Sequence, residues 1–138
     1  MATVIGSIAA FAAGGLAGLA SQAVAYFPTM KLILVVWPEP KGMHDLYAPQ
    51  GGAPGPGMYH IVAAIASAVV CGVVVGVVGT ASFISSGGNW GAVWPAIGSA
   101  WAKALAANAA IDTLLYVLMR RVCGTIDPEP KKDEVQRQ

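Results

Sequence analysis

Charge is the first thing this chain lacks. Asp, Glu, Lys and Arg make up 11% of its 138 residues, against about a quarter in an ordinary soluble domain. None of them falls within residues 1–30 or 46–102; all lie in 31–45 or 103–138. So few charges cannot coat a water-soluble globule, and this segregation is how a polytopic membrane protein distributes them. The formal net charge is +1 with no basic patch or Arg-rich arm, which argues against nucleic acid as a partner. Cysteine is scarce: Cys71 sits inside an apolar run and Cys123 just after another, a spacing that suits neither a disulfide scaffold nor a zinc site. No Asn-X-Ser/Thr sequence, HExxH motif or nucleophile–base–orienter set occurs, and the Gly-rich "GGAPGPG" is broken by Pro and cannot cradle a phosphate. The chain therefore reads as non-enzymatic, with no cofactor or metal and at most structural lipids bound.

What is present is apolar length. Residues 1–37 predict a first transmembrane helix with an interfacial extension beyond Pro28, which is expected to kink or end it. A cleaved signal is a poor reading of this stretch. Met1 to Ala25 carries no basic residue, and the apolar run exceeds an h-region of about 15 residues. Residues 38–57 are a Pro/Gly-rich loop, 58–83 a second span and 84–93 a short connector. Residues 94–121 predict a third, amphipathic span and 122–138 a polar tail. The fold class is thus an all-α integral membrane protein with three transmembrane helices. The loop and tail lie at one end, with the N-terminus and connector at the other. Trp90 and Trp94 mark one interface, and Tyr26, Trp37 and Tyr59 the other. By the positive-inside rule the loop end faces cytoplasm, matrix or stroma.

Small residues recur at every fourth position in all three helices: Gly6, Ala10, Gly14 and Gly18, then Ala64, Ala68, Gly72 and Gly76, then Gly98, Ala102, Ala106 and Ala110. Lipid tails are as apolar as Leu, so helices associate in membranes through close packing, and such rows permit it. Of the polar residues inside the spans, Gln22, Lys103, Asn108 and Asp112 stand out, with Ser21 beside Gln22. A Lys or Asp near a helix centre costs about 2.5–3.5 kcal/mol before partners are counted. Asn108 and Asp112 share a face (i, i+4), and the stripe is extended to Trp94, Trp101, Leu105 and Leu115. Lys103 is on the opposite face and is expected to reach toward a headgroup or a neighbouring subunit. His44 and His60 could ligate a metal or pigment, but without companions they read as interfacial.

The segment "AAGGLAGLASQAVAYFP" resembles the odd-numbered helices of mitochondrial carriers, which run Gly-rich into a Pro. That family continues P-x-[DE]-x-x-[KR], whereas Pro28 is followed by Thr29, Met30 and Lys31 with no acid. The resemblance covers about 20 residues of a six-helix pattern and does not extend to membership. The favoured expectation is an accessory, supernumerary subunit of a large membrane complex, in which other membrane subunits and the lipid bilayer are the partners. Asp112, Asn108 and Lys103 are then expected to be satisfied across subunits. The expected location is the mitochondrial inner membrane, in a respiratory-chain or ATP-synthase assembly, with thylakoid and bacterial membranes as alternatives. The rival readings are a small oligomeric ion or proton channel using Asp112, and a photosynthetic antenna or photosystem subunit.

Overall fold

The computed structural model describes residues 1–40, 42–49 and 51–126, and among these there is no β-strand. Three long helices make the molecule: α1 (Ala2–Val36), α2 (Pro56–Ser85) and α3 (Trp90–Ile126). Each is long and apolar enough to cross a bilayer. They run up, down and up, so the N-terminus and the α2–α3 connector share one end, and a short 3-10 helix (Met43–Tyr47) lies at the other. The polar tail expected at 122–138 falls outside the described residues from 127 onward, while 122–126 continue α3.

The helix boundaries differ from the sequence expectation in informative places. Pro28 does not end α1, which continues to Val36. One Pro removes a single intrahelical bond, and a membrane helix tolerates that loss. The connector is four residues shorter than expected at its far side because α3 begins at Trp90 and carries Pro95 inside it. Asn89 is the reason: its side-chain Oδ1 accepts the backbone N–H of Gly91 at 2.9 Å, capping the new helix. The preceding turn needs Gly87 and Gly88, with φ of 66° and 90°. Their N–H groups return to the carbonyls of Ile84 (3.1 Å) and Phe83 (2.8 Å), closing α2. The loop is also not wholly irregular, since the 3-10 helix buries Met43 and Leu46 beneath it.

α1 and α2 make the most extensive contact in the molecule. Gly14 and Gly18 lie directly against α2 backbone: a Cβ added at Gly18 would stand 2.7 Å from the Gly72 Cα, and one at Gly14 3.0 Å from the Gly76 Cα. On the other helix a Cβ at Gly79 would meet the Ala10 carbonyl oxygen at 2.7 Å. Real side chains do not fit there, so the glycine rows fix how closely the two helices approach. α3 packs across this pair in two layers. Ala10, Val75, Phe83, Val93, Ile97 and Ala104 form the layer toward the connector. Met43, Leu46, Tyr116, Met119 and Cys123 form the layer under the loop.

Candidate functional site: a buried polar junction

Between the two apolar layers the three helices bring polar side chains together. Ser21 and Gln22 come from α1, Ser67 and Cys71 from α2, and Asn108 and Asp112 from α3. Asn108 and Asp112 are each 0% exposed and Gln22 is 8% exposed. Asn108 joins all three helices. Its Nδ2 donates to Ser21 Oγ at 2.7 Å, and its Oδ1 accepts from Ser67 Oγ at 2.6 Å. The Ser21 hydroxyl in turn donates a hydrogen bond to the Gly18 carbonyl at 2.6 Å. One turn further along α3, Gln22 Nε2 donates to Asp112 Oδ1 at 2.7 Å. Gln22 Oε1 and Asp112 Oδ2 are buried with no hydrogen-bond partner among the described residues. Both are acceptors, so neither can satisfy the other without a donor.

A second polar pair leads from the loop toward this junction. Tyr47, in the 3-10 helix, places its hydroxyl 2.9 Å from Nδ1 of the buried His60 near the start of α2. Burial pushes the Tyr47 phenol up from its ordinary range, and Tyr26 and Glu39 act in the same direction. A phenol O–H that donates to Nδ1 leaves the imidazole proton on Nε2. His60 lies on the same face of α2 as Ser67, seven residues nearer the loop end, and Asp112 is one turn nearer that end than Asn108, so the two stand at neighbouring levels of the bundle. A cavity of about 340 Å³ opens beside the pair, lined by Tyr26, Tyr47, His60, Ile61, Ala64 and Ile65. At the same end Arg120 bonds the Pro38 carbonyl and lies 4.7 Å over the Trp37 ring, while Tyr116 donates to the Trp37 carbonyl at 2.5 Å.

The residues singled out in the sequence fall into two groups. Gly6, Ala10, Gly14, Gly18, Gly72 and Gly76 face the interior of the bundle, Gly6 against the Phe83 ring. Ala102, Ala106 and Ala110 are exposed, as is Gly98, so the α3 row is left uncovered among the described residues. Gln22, Asn108 and Asp112 are brought together, and Lys103 is not. Two expectations need correction. Asn108 finds its partners inside the chain rather than across subunits, as does one oxygen of Asp112, because their face of α3 turns inward onto α1 and α2. The inward stripe also starts from Val93 and Ile97, not from Trp94, which is 57% exposed.

His60 and Tyr47 were missed as a pair. Thirteen residues separate them across a Pro/Gly loop, and no periodicity reports such a contact. His44 is exposed and lies 3.2 Å from Glu39. Among the described residues no group of three His, Cys, Asp or Glu side chains is placed to hold a metal ion. Comparison with known proteins finds no matching family model, no matching curated protein and no matching solved structure.

Proposed function

We propose that this chain is a non-catalytic subunit of a larger membrane assembly and that the outer face of α3 is where it meets its neighbours. Lys103 is the observation that carries this reading. It is exposed and makes no hydrogen bond or ion pair among the described residues. By helix rise it stands about 14 Å from the Trp94 level and about 20 Å from the Tyr116 level. Snorkelling does not span such distances, and an ammonium facing hydrocarbon at that depth costs about 2.5–3.5 kcal/mol. Gly98, Ala102, Ala106 and Ala110 run beside it, all exposed. Small residues flanking an unpaired cation suit a partner helix that approaches closely and brings a carboxylate to the same depth. Between α2 and α3 an apolar groove of about 570 Å³, walled by Val70, Val74, Val78, Ala96 and Ala107 with Lys103 at its side, continues that face.

The finer reading is an energy-transducing assembly of the mitochondrial inner membrane, a respiratory-chain or ATP-synthase complex. Its support is compositional: a small, sparsely charged chain with no N-glycosylation sequence in these 138 residues. The test is native electrophoresis of mildly solubilised membranes, with mass spectrometry of the band that contains the chain. Co-migration with a defined set of membrane subunits is the expected result. Migration alone, or as a small homo-oligomer resistant to gentle detergent, would sink the proposal.

A further inference from the structure

We propose that Asp112 and Gln22 hold an exchangeable proton between them, taken up from the loop end of the molecule by way of His60 and Tyr47. The two side chains are already joined by one hydrogen bond, from Gln22 Nε2 to Asp112 Oδ1 at 2.7 Å. Each has a second oxygen, buried and unpartnered. Both side chains are more than nine-tenths buried, with 8% and 0% exposure. Leaving two acceptors dry in a membrane interior costs the full desolvation of each. One donor placed between them removes the deficit. The pair itself can supply it: a proton on Asp112 Oδ2 donates to Gln22 Oε1 and completes a cyclic acid–amide pair with two hydrogen bonds.

The step is a simple addition. A hydronium ion at the loop end gives up one O–H bond and leaves as water, and the proton's new O–H bond forms at Asp112 Oδ2 and neutralises the carboxylate. Release to water reverses both changes and returns the carboxylate with its single bond to Gln22. The surroundings supply a way in. His60 shares a face of α2 with Ser67, seven residues and about 10 Å nearer the loop end by helix rise. Asp112 stands one turn beyond Asn108, the partner of Ser67, in the same direction. The Nδ1 of His60 is paired with the Tyr47 hydroxyl, and the adjoining cavity opens between α1, α2 and the 3-10 helix. The buried or half-buried titratable groups of the elements packed around the junction are Tyr26 on α1, His60 and Cys71 on α2, Tyr47 on the 3-10 helix and Tyr116, Arg120 and Cys123 on α3, while Lys31, His44, Asp45, Tyr59 and Arg121 are exposed. Lys103 faces away from it. The site lies wholly within one chain, so its behaviour is independent of the assembly proposed above.

Infrared difference spectroscopy of the full chain in phospholipid vesicles tests this directly. The expected result is a carboxylic-acid C=O band that disappears in Asp112→Asn and moves to higher frequency in Gln22→Leu, where the acceptor is lost. The band should shift on transfer to D₂O, severalfold more slowly in His60→Phe and Tyr47→Phe, and should persist in high sodium. Asp112→Asn should also keep the fold, because its amide supplies the same donor and acceptor to Gln22. Absence of the acid band in the folded wild-type chain at every pH would overturn the proposal. Its replacement on adding sodium, which would assign the two oxygens to a metal ion, would do the same. Unchanged exchange in both loop-end variants would overturn the uptake route.

Discussion

At the residue scale, Asn108 is the most heavily used polar side chain in the bundle, bonding to one helix through its amide nitrogen and to another through its oxygen. Asn108→Leu strips the Ser21 and Ser67 hydroxyls of their partner. The expected loss is about 1 kcal/mol, within the range of interhelical hydrogen bonds in membranes, read as a lowered unfolding midpoint in a fixed detergent. An unchanged midpoint would mean that the junction adds no stability. Tyr47 gives a pH-dependent counterpart at the loop. Its neutral form is the one favoured in the fold, so its contribution is complete below the ordinary tyrosine pKa of about 10 and is lost as pH rises through the higher folded value. Ultraviolet titration should show a phenol component that ionises above the ordinary tyrosine range, and Tyr47→Phe should remove it. Asn108 and Asp112 were legible as a pair from their spacing. Their partners were not, because which faces of three helices meet is decided by packing that no single helix encodes.

At the scale of elements, the contact between α1 and α2 depends on where backbone meets backbone. Gly18→Ala drives a methyl into the Cys71–Gly72 backbone, whereas at Gly15 the nearest atom to an added Cβ is the Gly72 carbonyl oxygen at 3.7 Å. Gly18→Ala is therefore expected to destabilise by about 1–3 kcal/mol through overpacking, and Gly15→Ala to be close to neutral. Equal effects in thermal unfolding would refute the close approach. Both glycines sit in the same Ala/Gly-rich run, so composition alone cannot rank them; the period-four row through Gly14 and Gly18 could. The same rule did not say that the α3 row would face outward, since Gly98, Ala102, Ala106 and Ala110 have the same spacing as the rows that pack inside. Asn89 shows the opposite situation. An Asn directly before an apolar stretch is a capping signal, yet residues 84–93 read as connector; the side chain of Asn89 sets the start of α3 ahead of Pro95.

At the scale of the whole molecule, the bundle pairs most of its inner polar groups within the chain, Gln22 Oε1 and Asp112 Oδ2 excepted, and presents an outer α3 face without partners among the described residues. Asn108 has its partners within the chain, while Lys103 and the small-residue row have none among the described residues. Lys103→Glu should leave the isolated chain folded, because no hydrogen bond or ion pair among the described residues uses the ammonium, and should abolish co-migration with other subunits by placing like charges together. Lys103→Met should weaken the association less, leaving the partner's carboxylate unpaired. Retention of full assembly in Lys103→Glu would argue that this face meets lipid. The most direct measurement is photo-crosslinking in native membranes from a diazirine side chain placed at Ala102 or Ala106. A crosslink to a transmembrane segment of another polypeptide, with an acidic residue at the depth of Lys103, is the expected result. Adducts to lipid alone from both positions would contradict the proposal that this face joins the chain to an assembly.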